Sequence, residues 1–159
     1  MAERKPTPPI PGDIFQILTT EGVCYGQMTH RTERNGEVIA VYRRFWIKAP
    51  DAWSDVLSEP PQFVTTFLLA EAVRRRLFAV VGHAEVPEAQ RVFPTFRGSN
   101  NPKAAQPIWF FWDGTGETRV DRPLTPDELS FPEGPTLPSA PLLLDMIARN
   151  YRVETAYPR

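Results

Sequence analysis

PGDIFQILTTEGVCYGQM, residues Pro11 to Met28, sets apolar side chains beside one another where a half-exposed strand alternates them with polar ones. Over Asp13 to Thr20, Phe15 and Ile17 fall on one face of an extended chain and Ile14 and Leu18 on the other. The Glu21-Gly22 pair then supplies a tight turn, after which Val23 to Thr32 returns antiparallel. A hairpin with two apolar faces needs cover on both, and Gly26 in its second arm marks a bulge or a close backbone approach. Downstream, the Asn-Gly of Glu33-Arg34-Asn35-Gly36 suits a second hairpin turn. Glu37 to Trp46, rich in β-branched and aromatic residues, completes a three-stranded meander.

A chain of 159 residues is sized for one domain around one core. The hydrophobic fraction of 42% and charged fraction of 23% are those of a soluble globular protein, and a net charge of -1 exerts no pull toward nucleic acid or anionic lipid. No window reaches the roughly 18 apolar residues of a membrane span, and MAERKPTPPIPG lacks the apolar core of a secretory signal, so the cytoplasm is the expected compartment. Cys24 is the only cysteine, which excludes an intramolecular disulfide and a cysteine-based zinc site. The 18 prolines cluster at Pro6 to Pro11, Pro60 to Pro61 and Pro123 to Pro141 and mark loops and element edges. Residues 1–11 are expected to form an extended proline-rich tail and residues 12–159 a single β-rich domain.

Beyond the meander, Ala49 to Leu57 begins with proline and aspartate as a short helix does, centred near Ala52, with Trp53, Val56 and Leu57 on one face. Phe63 to Leu69 reads as a buried strand, although the following residues also score as helical. After a turn or short helix, Leu77 to Ala84 supplies another strand. A short strand is expected near Val92 to Phe96, then a loop over GSNNPKAAQP. Ile108 to Trp112, five large apolar residues in a row, needs cover on both faces, and Thr118 to Arg122 pairs with it through the DGTGE turn. Thr125-Pro126-Asp127-Glu128 has the cap, proline and acidic residues of a helix start. Leu142 to Tyr151 reads as a longer helix with Leu143, Met146, Ile147 and Tyr151 on one stripe. The whole is α+β and β-dominated: a twisted antiparallel sheet curling toward a partial barrel, with a short helix near residue 52 and a C-terminal helix.

Chemistry-bearing residues are sparse. His30 and His83 offer no local metal-ligand spacing, so neither a metal nor a cofactor is expected. Cys24 and His30 on one strand stand about 20 Å apart, out of reach as a dyad, whereas Cys24 and His83 across strands stay open as a pair. Asp113, Glu117 and Asp121 are clustered carboxylates that a small hydrolase would use as acid and base. Arg74-Arg75-Arg76, Arg43-Arg44, Arg31 and Arg34 with Tyr25, Tyr42 and Trp46 would serve a nucleic-acid-binding β-barrel, against which the acidic residues elsewhere weigh.

Three stretches carry a family likeness: GDIFQIL with VCYGQM, FVTTFLLAEAVRRRLFAVVGHAEVP at Phe63 to Pro87, and IWFFWDG ahead of a C-terminal helix. In this order the chain resembles the immunity protein 26 family of bacterial polymorphic toxin systems, from Gly12 to Tyr151. It departs from that family's pattern at Ile17-Leu18, which lack an intervening proline, and at Phe78, where tryptophan is common. The resemblance implies a small, mostly β protein that is not an enzyme and that protects its producer by binding a cognate toxin domain. Such binding concentrates on a few aromatic or arginine anchors inside a polar rim, and Tyr25, Tyr42, Arg44, Trp53 and Arg75 are the candidates.

Overall fold

The structure, a computed structural model, describes residues 6–101 and 103–156. Its centre is the expected meander: β1 (Asp13–Thr19), β2 (Gly22–Arg31) and β3 (Glu37–Trp46), antiparallel throughout. The first turn lies at Thr20-Glu21, one residue earlier than the sequence suggests. The Thr19 hydroxyl donates to the Gly22 carbonyl at 2.7 Å there, and Gly22, at φ 136°, opens β2 in a conformation that favours glycine. The second turn closes on Gly36, whose carbonyl accepts from the Thr32 amide at 3.0 Å.

Two strands distant in sequence widen the meander. β4 (Phe63–Phe67) adds to β3 and β5 (Ala79–His83) adds to β1, giving the order β4-β3-β2-β1-β5. This sheet does not close into a barrel, because β4 and β5 are its two edges. The fold is β-dominated α+β, and a second, three-stranded antiparallel sheet of β6 (Phe96–Ser99), β7 (Trp109–Trp112) and β8 (Glu117–Val120) follows.

Both faces of the first hairpin are covered except beside its turn, where Leu18 stays 65% exposed. On one face Phe15, Ile17, Cys24, Met28, Ile39 and Val41 pack against α2 (Leu69–Arg74) and α4 (Ala140–Ala148). On the other, Ile14, Tyr25, Ala40 and Tyr42 pack beneath Val56 of α1 (Ser54–Leu57), with Trp53 and Leu57 beside it. Gly26 pairs regularly with Phe15 and Val41, and the register shifts of β2 fall on either side of it, so no bulge sits at the glycine. It serves close approach instead: the Phe15 ring lies flat over it, where an added Cβ would meet ring carbons at 2.8 Å.

Several boundaries differ from the sequence reading. The strand expected near Val92 to Phe96 begins only at Phe96, because Phe93 turns in to meet His30, Phe96 and Trp112 edge to face while Gly98 and Ser99 enter the ladder instead. The strand from Phe63 stops at Phe67, since the buried Glu37 carboxylate accepts the Leu69 amide at 2.8 Å and starts α2 there. α1 begins at Ser54, two residues past Ala52. α4 starts at Ala140 because the Ser139 hydroxyl caps the Leu142 amide, and it ends before Asn150, which takes φ 53°. Leu143 and Ile147 are buried on the expected stripe, with Met146 and Tyr151 partly so. α3 (Pro126–Leu129) has the full reciprocal capping box of Thr125 and Glu128, and α5 (Val153–Ala156) closes the described chain. Of the tail, residues 1–5 lie outside the described residues. Residues 6–10 adopt neither helix nor strand, and Arg31 holds them by donating to the Pro9 carbonyl at 2.7 Å.

The segment between α3 and α4 ties the two sheets. Arg97 of β6 exchanges backbone hydrogen bonds with Pro132 and Gly134, Tyr151 donates to Glu133 at 2.8 Å, and the Thr66 hydroxyl of β4 donates to the Thr136 carbonyl. Among the described residues no helix is long and apolar enough to cross a membrane.

Candidate binding surface

Cys24 shows first what the fold does with reactive groups. It lies opposite Ile17 with no exposed surface, and burial pushes its thiol up to about 12. His83 is across the sheet from it, paired with Asp13 at 2.8 Å as the outer stitch of β1 to β5. Cys24 is therefore a small core hydrophobe, and its thiolate is suppressed at neutral pH. We expect no labelling of the native protein by a thiol reagent over the time in which the denatured chain labels fully; prompt labelling of the native state would refute this packing.

His30 is also structural, its Nε2 bonded to the Arg91 carbonyl at 2.8 Å and its Nδ1 to the Thr29 hydroxyl. No group of three or more metal-ligating side chains occurs among the described residues.

The carboxylates near the β7–β8 turn do not converge. Asp113 accepts the Thr115 and Gly116 amides and the Thr115 hydroxyl, all at 2.9 Å, and these bonds hold its carboxyl down to about 2. Asp121 pairs with Arg119 at 2.7 Å at the far end of β8, and Glu117 is exposed between them. A folded-state value below the ordinary carboxylate range means that the turn keeps its full contribution at and above pH 5 and loses it as pH falls through about 2. In a carboxylate titration by NMR, Asp113 should therefore titrate near pH 2; an ordinary carboxylate midpoint would show that the turn bonds are not formed.

The arginines are similarly occupied. Arg43 and Arg44 point to opposite faces of β3, and Arg43 donates to the Ile147 carbonyl of α4 at 3.1 Å. Arg74 and Arg75 share Glu71, whose carboxyl these hydrogen bonds hold down to about 2. They therefore do not line a single basic groove of the kind a nucleic-acid-binding barrel presents.

The five candidate anchors separate by depth. Tyr25 and Tyr42 are core residues beneath α1; the Tyr42 hydroxyl has no hydrogen-bond partner among the described residues, and burial pushes it up to about 12. Neither side chain is on the surface, because their strand positions face the layer that α1 closes. Trp53 is half-buried, edge-on to Tyr25 at 5.3 Å and lying over Gly82, so it seals that layer. Arg44 and Arg75 are exposed, at opposite sides of the sheet.

Arg44 leads to a patch that the sequence reading did not assemble. Its guanidinium stacks 4.1 Å from the Trp46 ring, two positions along the strand. Trp46 lies opposite Val23, and Val23 opposite Leu18, so Leu18, Val23 and Trp46 form one row across three strands. This row continues the face that α1 covers: Val23 and Trp46 are half-buried against the edge of that layer, while Leu18 is 65% exposed and Ile47, next in the chain, is fully exposed. The Trp46 indole N–H has no acceptor among the described residues. Leu18 was visible in the sequence as half of a second apolar face. Its neighbours were not, since they depend on cross-strand register.

No protein-family model, curated protein or solved structure matches this chain.

Proposed function

We propose that this chain is an immunity protein, which binds a cognate bacterial toxin domain in the cytoplasm of the producing cell and neutralises it by occupying its surface. One observation carries the reading: the partly open row of Leu18, Val23 and Trp46, extended by the exposed Ile47 and roofed by Arg44. Tryptophan and arginine are the residues that dominate the energy of protein interfaces, and clustered exposed aliphatic side chains supply the apolar surface around them. Here the arginine is held over the indole before any partner arrives, which lowers the ordering cost of binding. The action is stoichiometric inhibition rather than catalysis. The sequence likeness to toxin-immunity proteins is in keeping with it.

The test is co-expression with the C-terminal domain of a secreted toxin encoded beside this gene. Growth should be rescued and a stable complex should survive gel filtration. Neither rescue nor a complex would overturn the immunity reading.

A further inference from the structure

The two edges of the five-stranded sheet are finished differently. At β4, Thr65, Thr66 and Phe67 are buried, and the Thr66 hydroxyl is tied to the Thr136 carbonyl by the segment that crosses there. β5 has no strand on its outer side among the described residues. It also lacks the usual protection of an edge, since Ala79-Val80-Val81-Gly82 contains no charge and no proline. The pairing with β1 slips between Ile14 and Phe15, so Val81 is an extra residue, and Val80 and Val81 are exposed in succession at 38% and 39%.

From this we propose that two copies of the chain pair antiparallel along β5, about a two-fold axis near Val81, and join their sheets into one. The inference stands on the fold and does not depend on the toxin reading. Charge selects the copy as the occupant. Arg74, Arg75 and Arg76 precede β5 with the single carboxylate of Glu71 shared by the first two, while the other end holds the Asp13–His83 pair and Glu85, itself paired with Arg91 at 2.7 Å, so three arginines stand against one carboxylate at the first end and two carboxylates against one arginine at the second. An antiparallel two-fold places the arginine end of each copy against the carboxylate end of the other, twice over. The exposed Leu77 and the four central valines are gathered between these ends. Pro6, Thr7, Pro8 and Ile10 line a groove of about 580 Å³ beside Ala79 and Val80, and the two prolines have no amide hydrogen to offer the strand.

Sedimentation velocity of the full chain should show a concentration-dependent monomer–dimer equilibrium. Val81→Lys should weaken it at least about tenfold and leave the melting temperature unchanged at dilutions where both chains are monomeric. Val81→Cys tests the axis directly. Antiparallel neighbours bring Cα atoms to about 4.5–5.5 Å, within disulfide reach. Cys24 is buried, so the new thiol is the reactive one. Mild oxidation should convert Val81→Cys to a covalent dimer and leave Val92→Cys, exposed beside β4 at the other side of the sheet, monomeric. A native chain that stays monomeric at every concentration, a dimer indifferent to Val81→Lys, or equal cross-linking of the two cysteine variants would each overturn the proposal.

Discussion

Phe15→Ala is expected to remove about 3–5 kcal/mol of folding stability, and Gly26→Ala about 1–3 kcal/mol, yet the two together less than their sum. The first leaves a cavity in the cluster of Ile17, Met28, Phe67 and Phe78, where the Phe15 ring stacks on Phe78 at 5.8 Å and Phe78 in turn meets Phe67 at 5.5 Å. The second drives a methyl group into the ring that lies over the glycine. With the ring gone, the methyl group has room and fills part of the cavity. Since whole domains are stable by only about 5–15 kcal/mol, Phe15→Ala alone puts folding in jeopardy. Urea denaturation at constant m-value measures all three variants. Strict additivity would show that Gly26 is not there to admit Phe15.

On the binding side, Trp46→Ala should cost about 2 kcal/mol or more in affinity for the toxin domain, a loss of roughly thirtyfold, and should abolish protection of growth. Arg44→Ala should weaken binding too, and the double variant should fall short of the summed losses, because the guanidinium and the indole act as one stacked unit. Tyr42→Phe is the matched control: it removes a buried, unpartnered hydroxyl two strand positions from Arg44 and should leave affinity unchanged. Calorimetric titration separates these cases. Wild-type affinity in Trp46→Ala would move the interface elsewhere on the protein without touching the question of whether a complex forms.

Local signals read well wherever the chemistry was local. The meander followed from apolar runs separated by turn residues, α3 from Thr125 and Glu128 three residues apart, and the stripe of α4 from helical spacing. The double cover of the first hairpin was implied by Ile14, Phe15, Ile17 and Leu18 alone. Errors gathered where a side chain made a distant bond. Glu37, 32 residues upstream, ended β4 and began α2, and Phe93 left the expected strand to join an aromatic cluster with His30.

The candidate site was less legible. Tyr25, Tyr42, Arg44 and Trp53 were chosen by residue type, and type does not report depth. Tyr42 and Arg44 differ only by two positions on one strand and face the same way, yet α1 buries the first and stops short of the second.

The order of residues was sufficient for the class of fold and the need for cover on both faces of Pro11 to Met28. Those are consequences of periodicity and of each side chain's own transfer energy, which neighbours in sequence settle. The joining of β4 and β5 to the two sides of the meander, the open edge at Val81 and the row of Leu18, Val23 and Trp46 were decided only by the tertiary structure. Register and cover depend on pairings between residues tens of positions apart, where the free energy belongs to the assembled surface and not to any one segment of the chain.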